Sequence, residues 1–237
     1  MTKLNKSRQA IGSQQCTIYA GSEPADFMLI QPANGHDLTI LDNEVATIEA
    51  STGKASNFCL AAIEITHWHD ELSPWPAPPV FGSTPFGSGA QRTLAYITST
   101  LMPHLAPICA NHAPVIIGGY SLAGLFALWC AYQEPAFAGA AAVSPSVWFP
   151  GWLDYAKAHR PTAHSVYLSL GDKEHHTKTA IMRNVDSCIA MQHNLLCSAM
   201  GADRCTLEWN AGNHFQDNDI RTARAFSWLI NSISSGK

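Results

Sequence analysis

Charge is scarce in this sequence. Asp, Glu, Lys and Arg make up 14% of its residues and leave a formal net charge of −4. The 14 Lys and Arg are scattered and form no basic stripe, which argues against nucleic acid as a partner. No stretch approaches the roughly 20 apolar residues needed to cross a bilayer, so no membrane span is expected. The opening MTKLNKSRQAIGSQQ is polar and lacks the apolar core of a secretory signal. The seven cysteines (16, 59, 109, 130, 188, 197 and 205) contain no CxxC pair, and most fall inside apolar runs. They read as reduced core thiols of a cytoplasmic protein, and zinc bound by cysteine is not expected. GxGxxG is missing, and no Lys follows a Gly-rich turn as in a Walker loop. No internal repeat or low-complexity linker appears. Cofactors are therefore expected to be none.

What is present is core. Hydrophobic residues make up 46% of the 237 positions, enough for one well-packed domain. Residues 1–15 are taken as a flexible segment and 16–237 as a single domain. CTIYAG and FMLIQPA resemble an opening antiparallel pair, and EVATIEA (44–50) a third strand. FCLAAIEI (58–65) is apolar until Glu64, as in a strand covered on both faces. Residues 66–87 hold five prolines and are expected to be a long loop, not a helix. Leu94, Ile97, Leu101 and Leu105 mark a helix by spacing. PVIIGGYS reads as a strand, LAGLFALWCAYQE as a buried helix, and GAAAVSPSVW, SVYLSLG and CTLEWNAG as three further strands. Ile181, Val185, Cys188, Ile189 and Leu195 mark one later helix. Ile220, Ala223, Phe226, Leu229, Ile230 and Ile233 mark the last. This alternation predicts an α/β fold, with helices flanking a mainly parallel central sheet. Ligands of such sheets bind beyond the carboxyl ends of the strands.

Ser121 stands at one of those ends. Gly119-Tyr120-Ser121-Leu122-Ala123-Gly124 follows a strand and opens a helix, the setting of a nucleophile elbow, with Ala123 where a glycine is more usual. A Gly/Ser-rich turn of this kind also suits phosphate binding or a plain chain reversal. A serine hydroxyl needs a base, and the base an orienting acid. In this architecture both should come later, each after a strand, in the order acid then His. Asp172 and Glu174 follow SVYLSLG, and His214 follows CTLEWNAG, which makes His214 the base and leaves both acids open. One oxyanion donor is expected at the N–H of Leu122. The other is expected at Thr66, His67 or Trp68, with Trp68 the choice.

With these residues placed, the chain resembles the α/β-hydrolase superfamily. Within it, GGYSLAG, SPSVW, LSLGDKE and GNH resemble the "Putative esterase" (esterase D-like) family, which includes feruloyl, S-formylglutathione and siderophore esterases. The likeness runs from about residue 25 onward. It implies an α/β-hydrolase fold without a large cap domain, and a serine esterase working through an acyl-enzyme on a small-molecule ester. The family places its acid three residues after the Gly closing the strand, which selects Glu174 after Gly171 over Asp172. Some siderophore esterases of the family work with Ser and His alone. The loop HWHDELSPWPAP is unlike the common family loops, so substrate does not transfer. An acyltransferase or thioesterase with the same triad is the alternative activity, and a non-catalytic binding protein is a third reading.

HWHD (67–70) and EHH (174–176) supply metal-type donors, but no second His/Asp cluster supports them, so the site is read as metal-free. Histidines at an active-site mouth explain them more simply. Trp68, Trp75, Phe81, Phe86, Trp148, Phe149 and Trp152 lie on loops that either border the pocket or roof the core; His67, Trp75 and Trp148 are taken as its principal lining.

Overall fold

In the computed structural model, residues 4–52, 57–80 and 82–236 are described. Eight strands form one sheet. They are β1 (Asn5–Ile11), β2 (Gln14–Ala20), β3 (Phe27–Ala33), β4 (Phe58–Glu64), β5 (Val115–Tyr120), β6 (Phe137–Val143), β7 (Ser165–Gly171) and β8 (Cys205–Asn210). Their spatial order is β1-β2-β4-β3-β5-β6-β7-β8. The β1/β2 and β2/β4 pairs are antiparallel, and every pair from β4 to β8 is parallel.

The helices are α1 (Gly35–Thr52), α2 (Trp68–Glu71), α3 (Ala90–Tyr96), α4 (Met102–Leu105), α5 (Leu122–Gln133), α6 (Trp152–Ala158), α7 (Val185–Met200) and α8 (Asn218–Ser234). A π-turn, Ile97–Leu101, joins α3 to α4. The period-2 geometry of a strand sends alternate side chains to opposite faces. On β3, Met28 and Ile30 therefore join one core, with α5 and α7, while Phe27 and Leu29 join the other, with α1 and α8. Both faces are covered, which is why the parallel strands read as continuous apolar runs.

Three expectations are corrected. The segment set aside as flexible contains β1, whose seven residues pair in register with β2. EVATIEA lies inside α1, where Leu41, Val45, Ile48 and Thr52 share a buried stripe at helical spacing. Its β-branched residues mimic a strand locally, but the longer period governs. β2 and β3 are not partners: β4 lies between them, antiparallel to one and parallel to the other. The Pro-rich loop is irregular except for the single turn α2.

β3 and β4 grow the sheet one way, whereas β5 to β8 grow it the other. The reversal lies between β3 and β5, so the cleft for a ligand opens beyond the carboxyl end of β5. Ser121 is the next residue.

Glu44 on α1 is 3% exposed and accepts one long hydrogen bond, 3.4 Å, from Gln31 Nε2. Burial, with Asp37 and Asp219 nearby, pushes its carboxyl well above the usual range, which favours the protonated form in the folded chain. The unfolded chain releases that proton above about pH 4.3. Stability from this group is therefore fullest below that value and is lost as pH rises toward the folded pKa. Glu44→Gln should raise Tm at pH 8 by about 2–4 °C per kcal/mol recovered, and little at pH 4. Equal changes in Tm at both pH values would contradict this.

Candidate active site

The turn from β5 to α5 is tight because its residues are small. A Cβ on Gly119 would lie 2.6 Å from the Ala123 methyl, and one on Gly124 would lie 2.9 Å from the Val143 carbonyl oxygen. Ser121 itself has φ 60° and ψ −118°. A side chain in that region costs about 1–3 kcal/mol and persists only where the surroundings over-determine it. Here three backbone bonds do so. Ser121 N–H donates to Val143 (3.0 Å), and its carbonyl accepts from Leu125 (3.0 Å) and Ser146 (3.1 Å).

The structure brings Ser121, His214 and Glu174 into contact. His214 Nε2 is 3.0 Å from Ser121 Oγ, and His214 Nδ1 is 2.7 Å from Glu174 Oε2. The other carboxylate oxygen, Oε1, accepts from Ser144 Oγ (2.7 Å), Gly171 N–H (2.7 Å) and Arg221 Nη1 (3.3 Å). Burial pushes the Glu174 carboxyl up. The His214 hydrogen bond and charge, helped by Ser144 and Gly171, outweigh it and hold the carboxyl below its usual value. Asp172 makes a different contact: its Oδ1 accepts the Gly212 N–H at 2.8 Å and so fixes the loop that carries His214.

Three supporting residues carried no usable signal in the sequence. Arg221, on α8 and 1% exposed, donates to Glu174, to the Tyr120 hydroxyl (3.1 Å) and to the Ala211 carbonyl (2.9 Å). The Tyr120 hydroxyl, its pKa pushed up to about 12 chiefly by burial, donates to the His214 carbonyl (3.0 Å). Ser144 opens the SPSVW motif, but its bond to Glu174 is visible only in three dimensions. Removing the buried guanidinium leaves a carboxylate and a carbonyl short of donors, so Arg221→Met should cost about 3–5 kcal/mol of stability. Chemical denaturation measures it; a loss under 1 kcal/mol would show that Arg221 is dispensable.

The cleft above Ser121 holds about 500 Å³. Its apolar wall is Trp68, Phe86, Trp148, Met182 and Phe215; its polar groups include His69, Lys173, His176, Thr177, Thr179 and Asn213. Of the three principal lining residues expected, only Trp148 is found there. Trp75 turns into the protein, donates from Nε1 to the Pro150 carbonyl (2.8 Å) and packs against Phe149, Trp152 and Tyr155. His67 is exposed, 3.1 Å from Thr66 Oγ1 and 3.5 Å from Glu71 Oε1. Phe149 and Trp152 are core, and Phe81 lies outside the described residues. Elsewhere in the HWHD run, Asp70 pairs with Arg92 at 2.6 Å, and the His69 ring packs at a tilt against Phe86, with centroids 4.8 Å apart. Proline spacing cannot show which aromatic of a loop turns inward.

Leu122 and Trp68 both border the cleft. Each is the first residue of a helix, where backbone N–H groups lack intrahelical partners and the dipole favours an anion. The His67 N–H is already given to Glu71 Oε1 at 2.7 Å.

The sequence matches the family model described as "Putative esterase" over residues 47–216, a span holding Ser121, Glu174 and His214. No curated protein matches it significantly. Among solved structures, the siderophore hydrolase EstA from Aspergillus nidulans is similar at 18% identity and TM-score 0.74, over 98% of this chain and 95% of that one. An IroE-like serine hydrolase from Shewanella oneidensis is similar at 13% identity and TM-score 0.73, over 97% of this chain and 80% of that one. The enterobactin esterase FES from Shigella flexneri, determined with 2,3-dihydroxy-N-benzoyl-glycine, is similar at 14% identity and TM-score 0.66, over 99% of this chain and 60% of that one. The architecture is thus the α/β-hydrolase fold. No helix among the described residues is long and apolar enough to cross a membrane.

Proposed function

The chain belongs to the "Putative esterase" family and is a carboxylic ester hydrolase; from that premise we propose that Ser121 is its covalent nucleophile. His214 Nε2 takes the hydroxyl proton as Ser121 Oγ attacks the ester carbonyl. Glu174, ionised because its pKa is held low, orients the imidazole through Nδ1 and stabilises the imidazolium. The Leu122 and Trp68 N–H groups receive the oxyanion. His214 then protonates the leaving alcohol, and water activated by the same ring releases the acid. The observation that carries this reading is the unbroken chain Ser121 Oγ–His214–Glu174, with links of 3.0 and 2.7 Å.

An acyl-enzyme has a kinetic signature. Mixed with p-nitrophenyl acetate, the protein should release a burst of about one p-nitrophenolate per chain before the steady state. Failure to recover an acetyl group on Ser121 by mass spectrometry after acid quenching during that burst would count against the covalent step.

The aromatic wall favours an ester whose acyl or alcohol part carries a ring. Siderophore esters, named for the similar structures, are the first candidates, and a reducing cytoplasmic setting is retained from the cysteine pattern. Phe215 is 86% exposed beside His214, at a ring distance of 5.4 Å, so its loss should spare the fold. A ring contact of this kind is worth about 0.5–1.5 kcal/mol, so Phe215→Ala should raise KM for an aryl ester about 2- to 12-fold. The acetyl ester should be little affected; an equal rise for both would remove Phe215 from substrate recognition.

A further inference from the structure

A second group of reactive side chains stands at the other end of the sheet. His193 and Cys197 lie four residues apart on α7 and so share one helix face. Cys205 opens β8. His193 Nε2 is 3.4 Å from Cys197 Sγ, and Cys197 Sγ is 3.0 Å from Cys205 Sγ. All three donor atoms lie within 4.8 Å of one another. Cys205 is buried and the other two are half-buried, so the cluster has a wall and an entrance.

We propose that His193, Cys197 and Cys205 bind a thiophilic d¹⁰ cation, Zn²⁺ or Cu⁺, at a site distinct from the catalytic one. Two sulfurs and an imidazole nitrogen form the soft-to-borderline donor set that selects such ions over Mg²⁺ or Ca²⁺. Bonds of about 2.3 Å to each sulfur, at a tetrahedral angle, set the sulfurs about 3.7 Å apart. Cys197 and Cys205 therefore need to part by about 0.7 Å. A disulfide would instead pull them together to about 2.05 Å and leave the imidazole beside them without a part. On binding, each thiol gives its proton to solvent and neutral His193 ligates through Nε2, so two protons leave per ion and no electron moves. Three protein donors complete a trigonal Cu⁺ site or leave Zn²⁺ one position for water. Cys205 and Asn210 close opposite ends of β8, about 17 Å apart at the usual rise. His214 follows the far end, so an ion here clamps α7 to the edge strand and does not touch substrate. The spacing H-x₃-C-x₇-C matches no common zinc motif, and for that reason the sequence alone points away from it.

Reduced, metal-free protein should be titrated with Zn²⁺ and with Cu⁺ against chromophoric chelators, and with Cd²⁺ to record thiolate charge-transfer absorption. The expected result is one ion per chain, a Cd²⁺–thiolate band and a raised Tm. The chelator that the protein outcompetes tells Zn²⁺ from Cu⁺, and either supports the site. Cys197→Ser and Cys205→Ser should each lose the band and weaken binding by more than the about 10–100-fold typical of losing an outer-sphere partner. Cys188→Ser, on the same helix, and Ser121→Ala should bind as the parent does. If a buried Cys205 variant fails to fold, His193→Asn at its half-buried position should weaken binding while the thiolate band of the ion that still binds persists; unchanged affinity would remove His193 from the site. Ester hydrolysis should be unchanged in the Cys197 variant. Absence of stoichiometric binding by the reduced protein overturns the proposal. So does a band that survives loss of either cysteine.

Discussion

Ser121→Ala is expected to lower kcat/KM for a p-nitrophenyl ester by about 10⁵- to 10⁶-fold while leaving the fold intact. The magnitude follows from the alcohol being the only atom that bonds to the substrate; oxyanion donors and binding then sustain only the residual rate. Alanine keeps the same backbone strain, so Tm should hardly move. Ser121→Gly separates the two roles of the position. It removes the hydroxyl equally, but it relieves a conformation, φ 60° and ψ −118°, that costs a side chain about 1–3 kcal/mol. Against this stands about 1 kcal/mol of extra chain entropy for glycine. The glycine variant should be inactive yet as stable as the parent or more so. A glycine variant clearly less stable than the alanine one would show that the elbow is not strained.

The second large effect separates the two acids on the β7 loop. Glu174→Gln should reduce kcat by about 10⁴-fold, since an amide cannot stabilise the imidazolium and can hold the wrong tautomer. Asp172→Asn keeps an oxygen for the Gly212 N–H and should cost less than about 10-fold. The pH dependence of stability gives a second readout. With its folded pKa depressed, Glu174 contributes stability that is fully present above the unfolded value of about 4.3. That contribution is lost as pH falls through the lower, folded value. The parent should therefore show an acid-side loss of stability that the Gln variant lacks. Similar kcat losses in the two variants would leave the acid unassigned to Glu174.

Much of this site can be read from the sequence because chain order and strand ends constrain it. Ser121 sits where small residues crowd a strand-to-helix turn. His214 and the acids follow the two strands that topology places farther along the same sheet edge. Spacing cannot say which carboxylate on a short loop faces the ring. Only the likeness to the family singles out Glu174; the coordinates put it within 2.7 Å of His214 Nδ1. Arg221 shows the opposite case. On the sequence it is one more charge on an amphipathic helix, and its burial against Glu174 depends on the packing of α8 across β5 and β7. Pocket lining is the least legible part, because Trp75 and Trp148 carry the same chemistry, and only the fold shows that Trp75 turns inward to the Pro150 carbonyl while Trp148 borders the cleft. EVATIEA mimics a strand for a related reason: its β-branched Val45, Thr47 and Ile48 mask a helical period that shows only when Leu41 and Thr52 are included.

The most direct test is to treat the native protein with a fluorophosphonate and map the adduct by mass spectrometry. One phosphonyl group per chain, on the peptide carrying Ser121, with hydrolysis abolished in parallel, is the outcome this mechanism requires. Labelling of some other residue, or esterase activity that survives complete modification of Ser121, would contradict it.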